Sequence, residues 1–130
     1  MPVESPAPPE LPGLEVKKAL ARLHLPLECY RELVIRFSHD HQNDAALIRN
    51  CLEVGDREGA WEAAHTLKGV AGNLSANRLY AAAATLEAAL RDGGPAEATR
   101  LLPEVATCLA EVVASAEILS LTGSANEHIT

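Results

Sequence analysis

The chain has 130 residues, which is enough for one domain with a hydrophobic core and too few for two. Its formal net charge of −7 argues against nucleic acids and anionic membrane surfaces as partners, because both are bound through basic faces. Apolar residues make up 48% of the sequence, but aromatic side chains are scarce and no segment alternates apolar and polar residues as a strand does. This composition predicts an all-α protein.

The N-terminal segment is rich in proline. Residues 1–13 hold five of the eight prolines, so we expect a flexible linker there. This segment has neither the basic start nor the apolar core of a signal peptide, and no apolar stretch of the chain reaches the roughly 18 residues of a membrane span. Because the three cysteines are far apart and odd in number, we expect reduced thiols in a cytoplasmic protein.

The spacing of apolar residues predicts two helices in the first half of the chain. A short one covers residues 14–23, and a long one covers residues 27–54. The long helix is expected to kink or break within residues 39–43, where Asn43 can cap a restart.

Three further helices are predicted in the second half. The first covers residues 57–73, with Asp56 as its N-cap. The second covers residues 76–92, with Ser75 as its N-cap. After the break at Gly93-Gly94-Pro95 the last helix covers residues 96–121, and Pro103 is expected to kink or restart it.

Short links between these helices favour antiparallel neighbours. We therefore predict one domain over residues 14–121, an up-down-up-down antiparallel four-helix bundle with a short extra N-terminal helix. Residues 122–130 are expected to form a polar tail. Because the bundle itself accounts for the apolar stripes, we expect a monomer.

The segment from Ala63 to Leu74 carries the most informative pattern. At about 100° per residue its apolar stripe must face the core. The opposite, solvent-facing side then collects His65, Lys68, Gly69 and Gly72. The pattern thus predicts an exposed histidine with a lysine one turn away and two glycines beside it.

Two glycines on an exposed helix face need an explanation, because glycine costs about 1 kcal/mol relative to alanine inside a helix. Missing side chains beside His65 would let a partner approach the imidazole closely, and Lys68 would supply a cation for a negatively charged group. A neutral imidazole has a free lone pair and suits nucleophilic phosphoryl chemistry. Spacing alone does not decide between this interpretation and a solvated histidine.

The sequence His65-Thr66-Leu67-Lys68-Gly69, followed by Ala71-Gly72-Asn73-Leu74, resembles the signature of histidine phosphotransfer (HPt) domains. The resemblance continues through Leu79, Ala83 and Leu86-Glu87 and covers roughly residues 11–120. Upstream, Leu11-Pro12-Gly13-Leu14 and the spacing of Tyr30, Leu33 and Phe37 are similar to the entry of HPt domains at the C-terminal end of hybrid sensor kinases.

The resemblance implies a role for each matching residue. His65 would be phosphorylated, Lys68 would balance the phosphate charge and Glu87 would contact the imidazole. Gly69 and Gly72 would give access to the partner, with Thr66 and Asn73 of the signature on the same binding surface. The implied partners are receiver domains of response regulators or hybrid sensor kinases. They supply the aspartyl phosphate and Mg²⁺, so this chain is expected to bind no cofactor and to act as a carrier, not an enzyme.

Two other features of the sequence are candidate sites. Trp61 lies one turn before His65, where it can either anchor a partner or pack at the bundle edge. His39 and His41 lie beside Asp40 and Asp44, but residues two apart on a helix point in different directions, so we expect no metal site.

Three alternatives to a phosphorelay carrier stay open at this point. The first is a helical module that binds receivers without accepting phosphate. The second is the phospho-accepting domain of a chemotaxis-type kinase, since those domains also have a His-x-x-Lys-Gly motif on a bundle. The third is an independent enzyme, for which the sequence shows no paired acid and base and no cofactor motif.

Overall fold

A computed structural model describes residues 10–129, with side chains described as far as Leu121. Most of the linker predicted for residues 1–13 lies outside the described residues. The elements are six α-helices: α1 (Val16–Leu23), α2 (Leu27–His41), α3 (Asp44–Glu53), α4 (Arg57–Asn73), α5 (Asn77–Asp92) and α6 (Pro95–Ile129). Apart from an isolated bridge between Leu11 and Leu14, the described residues contain no strand, so the all-α prediction is confirmed.

Four helical columns form the bundle. Helices α2 and α3 are consecutive in the chain and together form one column, and α4, α5 and α6 each form another. Helix α3 packs on α4, α4 on α5 and α5 on α6, and α6 returns to both α2 and α3. With α1 packed against α2, this is the predicted four-helix bundle with a short extra N-terminal helix.

The predicted long helix does break in the expected region. Helix α2 ends at His41 and α3 begins at Asp44. Asn43 occupies the N-cap position, but its side chain makes no capping hydrogen bond. Instead, Nδ1 of His41 lies 2.8 Å from Oδ2 of Asp44 and links the two helices across the break.

The loop between α4 and α5 differs from its prediction. Ser75 was expected to cap α5, but α5 begins at Asn77 and Ala76 is its N-cap residue. Ser75 has a φ of 57° and follows the last residue of α4 by two positions. Its N–H donates to the carbonyl of Gly72, and the next N–H donates to the carbonyl of Ala71. This is a Schellman motif, in which serine occupies the left-handed position that glycine usually takes.

The N-terminal cap of α4 is as predicted, because a carboxylate oxygen of Asp56 accepts a hydrogen bond from the N–H of Gly59 at 2.9 Å. Helix α6 continues through Pro103 to Ile129, past the end predicted at residue 121. None of the helices in the described part of the chain is long and apolar enough to cross a membrane.

The end of the predicted linker packs on the bundle. Leu11 and Leu14 are buried, and the carbonyl of Pro12 accepts a hydrogen bond of 2.6 Å from Oγ of Ser115 on α6. Gly13, with a φ of 80°, makes the turn against Val112. Residues 11–13 are therefore part of the folded domain, because Leu11 is buried and both Pro12 and Gly13 lie against α6.

The core fixes which face of α4 points outward. The side chains of Ala60, Ala64, Leu67 and Ala71 are fully buried along one face of that helix. At its C-terminal end the hydroxyl of Tyr30 donates to the carbonyl of Leu74 at 2.6 Å. The opposite face of α4, which includes His65, is left at the surface.

Candidate functional site

The side chain of His65 is exposed midway along α4. Its neighbours Ala64 and Leu67 are fully buried, whereas 54% of the histidine side chain is accessible. This is the orientation that the helical spacing predicts. An exposed side chain on a helix whose other face is buried has a fixed position and an open approach.

Three basic side chains converge on the carboxylate of Glu87, which α5 places beside His65. One oxygen of this carboxylate, Oε2, lies 2.6 Å from Nδ1 of His65. The other, Oε1, accepts hydrogen bonds from Nζ of Lys68 at 2.9 Å and from Nη2 of Arg91 at 3.3 Å. The side chain of Glu87 is only 6% exposed, so these hydrogen bonds replace the water that burial removes.

The charge of Glu87 determines which nitrogen of His65 is free. Burial raises the pKa of this carboxyl group, but its hydrogen bonds with Lys68 and His65 and the positive charge of Lys68 outweigh burial and hold the pKa below its ordinary value of 4.5. Glu87 is therefore a carboxylate at neutral pH and can only accept hydrogen bonds. Nδ1 of His65 is therefore the nitrogen that donates to Glu87, and in the neutral imidazole the lone pair is on Nε2.

Trp61 stacks on His65. The two ring centroids are 4.8 Å apart and the ring planes differ by 9°. The indole is half-buried against the hydrophobic core, and its Nε1 is buried without a hydrogen-bond partner among the described residues. The sequence left open whether Trp61 anchors a partner or packs at the bundle edge. The stack was not predicted, although residues four apart on a helix are neighbours.

The two glycines have different surroundings. A Cβ atom built at Gly69 would meet nothing within 4 Å, so the surface one turn beyond His65 is open. A Cβ atom at Gly72 would lie 3.2 Å from the ring of Tyr80 on α5. Open space is thus present at Gly69, whereas the ring of Tyr80 occupies the space beside Gly72. Access of a partner at Gly72 stays a prediction.

Thr66 and Asn73, the other residues assigned to partner binding, are both exposed. Asn73 is the last residue of α4, and its carbonyl accepts a hydrogen bond of 2.7 Å from Nη2 of Arg22. The same Arg22 nitrogen reaches the carbonyl of Gly72 and Oγ of Ser75, both at 3.1 Å. Arg22 lies on α1, so the C-terminal end of the histidine helix is held by the N-terminal helix.

Two residues of the site were not predicted from the sequence. Arg91 is four residues after Glu87 on α5, and this spacing could have indicated the ion pair. Arg22 is about fifty residues from the carbonyls it caps, and no local signal points to that contact.

The contacts of His41 lie within the bundle. His41 pairs with Asp44 and packs against Phe37, with ring centroids 5.2 Å apart. Within the described residues no group of three or more His, Cys, Asp or Glu side chains is placed to hold a metal ion.

A scan against protein-family models matches the Hpt domain over residues 32–115, a span that includes Trp61, His65, Lys68, Glu87 and Arg91. The match covers more than half of the chain, which therefore belongs to the Hpt domain family. Hpt domains are helical bundles that carry out histidine phosphotransfer in phosphorelays and interact with receiver domains. Searches of curated proteins and of solved structures found no significant match.

Proposed function

We propose that His65 accepts a phosphoryl group from an aspartyl phosphate of one receiver domain and passes it to the aspartate of another. The observation that supports this most directly is the 2.6 Å contact between Nδ1 of His65 and the carboxylate of Glu87. The exposed imidazole donates Nδ1–H to an ionised carboxylate, which leaves its lone pair on Nε2. A nucleophile needs such a lone pair and an open approach.

In the forward step the Nε2 lone pair attacks phosphorus while the bond between phosphorus and the aspartate oxygen breaks. The electron pair of that bond stays on the partner's carboxylate, and the ring becomes positively charged. Glu87 lies against the protonated edge of the ring, where its negative charge stabilises this state. The reverse sequence of bond changes delivers the group to the next receiver.

Lys68 is placed to follow the phosphoryl group. Its ammonium group is 2.9 Å from Glu87 and one helical turn from His65, and its side chain is 24% exposed. The long flexible stem lets the ammonium move from the carboxylate to a phosphoryl oxygen. We assign Lys68 to charge balance on the phosphorylated protein.

The partner supplies the rest of the reaction. The receiver provides the aspartate and Mg²⁺, so we propose that this chain binds no cofactor and acts as a substrate and carrier instead of an enzyme. Gly69, with no neighbour over its backbone, and the exposed Thr66 and Asn73 are proposed to lie under the docked receiver. We further propose a monomer that works in the cytoplasm, where the cysteines, unpaired in the described structure, are stable as thiols.

Label transfer tests this proposal. Purified protein is mixed with Mg²⁺ and a receiver domain phosphorylated with radioactive phosphate, and the label on the protein is followed with time. His39→Gln is the matched control, because His39 is an exposed histidine on α2. The proposal requires label on the wild type and on His39→Gln but none on His65→Gln.

The same assay separates the alternatives. Label on His65→Gln contradicts the site, and binding of the receiver without any label favours a module that has lost phosphotransfer. Labelling only by an ATP-loaded kinase domain favours the phospho-accepting domain of a chemotaxis-type kinase.

A further inference from the structure

We propose that Trp61 is a positioning residue for phosphoryl transfer, and that it acts by holding the plane of the His65 ring and by stabilising the positive charge that develops on it. This inference rests on the proposed role of His65. It differs from both roles that the sequence suggested for Trp61, because neither a partner anchor nor bundle-edge packing acts on the imidazole.

Two contacts restrict different motions of the imidazole. The 2.6 Å hydrogen bond from Nδ1 to Glu87 fixes one ring atom but still lets the ring swing about that atom. The stack on Trp61, with planes 9° apart and centroids at 4.8 Å, fixes the plane of the ring. Together they set the direction of the Nε2 lone pair before the partner arrives, which lowers the entropic cost of reaching the reactive geometry.

The stack leaves the nucleophile open. The lone pair of Nε2 lies in the plane of the imidazole, whereas Trp61 covers a face of the ring. Phosphorus approaches along the lone pair, at the edge of the ring. Trp61 can therefore contact His65 throughout the reaction without blocking it.

Charge adds a second effect. As the bond from Nε2 to phosphorus forms and the aspartyl bond to phosphorus breaks, the electron pair leaves with the aspartate and the ring, still protonated at Nδ1, becomes cationic. The face of an indole attracts cations more strongly than any other side-chain ring. Because the ring is neutral before the attack, this attraction favours the transition state over the starting state.

The packing of Trp61 argues against a simple anchor. The indole is half-buried against the core, and one of its faces is occupied by His65. Its buried Nε1–H has no acceptor among the described residues, so the contacts of Trp61 are made by the ring system and not by the N–H. A phenylalanine should therefore replace this residue well, while an aliphatic side chain of similar bulk should not.

Phosphoramidate, a small phosphoryl donor, tests positioning without any docking surface. We expect Trp61→Leu to be labelled about 3- to 10-fold more slowly than the wild type, and Trp61→Phe to stay within about twofold. Circular dichroism and thermal unfolding of both variants provide the control for folding. Equal rates for Trp61→Leu and the wild type would overturn the inference. Positioning of the imidazole must affect the reaction with any donor, whereas a partner anchor has no effect on so small a donor.

The receiver reaction gives an independent separation. The transfer rate is measured over a range of concentrations of the phosphorylated receiver. Trp61→Leu should lower the rate constant at saturation and leave the half-saturating concentration of receiver unchanged. A rise in the half-saturating concentration alone would identify an anchor and refute positioning.

The stack itself can be measured without phosphate. Trp61 is the one tryptophan of the chain, so its fluorescence reports this contact alone. A ring stacked on the indole changes its surroundings, so at one fixed pH we expect the emission of His65→Gln to differ from that of the wild type, whereas His39→Gln should emit as the wild type does. Equal emission from His65→Gln and the wild type refutes the contact. A wild type that takes no label from either donor refutes the proposed function and this role together.

Discussion

Glu87 is the residue on which the chemistry of the site depends. Its carboxylate selects the tautomer of His65 and is the counterion of Lys68 and Arg91. A glutamine would keep the shape of this side chain but lose the charge. Its amide could also donate to Nδ1, which would move the proton of the ring to Nε2.

We therefore expect Glu87→Gln to slow phosphoryl transfer about 10-fold, in line with the difference between charged and neutral hydrogen bonds. The measurement is the rate of labelling by a phosphorylated receiver. Glu111→Gln is the matched control, since Glu111 pairs with Arg78 on the surface and should behave as wild type. A Glu87→Gln rate equal to wild type would contradict the assigned tautomer.

A substitution at Gly69 tests whether open space beside His65 is needed for access of the receiver. Because nothing lies within 4 Å of its missing Cβ, we expect Gly69→Leu to fold normally and to gain up to about 1 kcal/mol of helix stability. The new side chain should obstruct a docked receiver and slow its phosphoryl transfer at least about 10-fold, while labelling by phosphoramidate is kept.

Ala114→Leu, an exposed substitution on α6, is the control for added bulk and should transfer at the wild-type rate. If Gly69→Leu and the wild type react with the receiver equally fast, the steric account of this glycine is wrong.

Helical spacing was sufficient to place His65, Lys68 and Gly69 on one exposed face, because the opposite stripe of α4 had to be buried. The surroundings of Gly72 could not be obtained in this way. They depend on the rotamer of Tyr80, which is set by how α5 packs on α4.

At the scale of elements, helix α4 is held at both ends by side chains. Asp56 caps its first turn, and Arg22 binds the carbonyls of Gly72 and Asn73 at its last. A cation at the C-terminal end of a helix also interacts favourably with the negative end of the helix dipole. These contacts fix the helix that presents His65.

Removal of the Arg22 side chain should cost about 1 kcal/mol in the free energy of unfolding, a value reduced for the exposure of this arginine. Urea denaturation of Arg22→Ala measures it. Arg100→Ala is the control, since among the described residues Arg100 pairs only with the exposed Glu97 of its own helix, and this variant should unfold as wild type does. Equal midpoints for wild type and Arg22→Ala would show that α1 does not stabilise the end of α4.

The helices were easier to predict than their junctions. Apolar periodicity gave α4 its observed limits and indicated the break between α2 and α3. The prediction for Ser75 was wrong. This residue resembles an N-cap in sequence, but it adopts the left-handed conformation of a Schellman motif and is bound by Arg22 of α1. Its role is decided by Arg22 and by the backbone of Glu15, both distant along the chain.

At the scale of the whole molecule, Tyr30 joins α2 to the turn after α4. Its hydroxyl donates to the carbonyl of Leu74, and burial raises the pKa of Tyr30 from 10.0 to about 12, with the charge of Arg22 acting in the opposite direction. Between these two values the unfolded chain loses the phenol proton while the folded protein keeps it. The bundle is therefore expected to lose stability as the pH rises from about 10 to about 12.

Urea unfolding at a series of alkaline pH values tests this linkage. The stability advantage of the wild type over Tyr30→Phe should shrink as the pH rises through this range. Tyr80→Phe, which removes an exposed phenol, should follow the wild-type slope. If the difference in the free energy of unfolding between the wild type and Tyr30→Phe stays constant, ionisation of Tyr30 does not cause the loss of stability at alkaline pH.

The topology of the bundle was predictable because short links between amphipathic helices leave one simple arrangement. The docking of Pro12 on α6 was not, because it depends on a hydrogen bond from Ser115, about a hundred residues away. Contacts of that range are visible only in the folded chain.

The proposed phosphoryl transfer takes place on a single atom, Nε2 of His65. Heteronuclear NMR of the protein labelled with ¹⁵N and phosphorylated by a receiver identifies the modified nitrogen through its coupling to phosphorus. The account predicts one phosphoryl group, on Nε2 of His65, with the proton retained on the nitrogen that faces Glu87. A phosphoryl group on Nδ1, or on any other histidine, would contradict it.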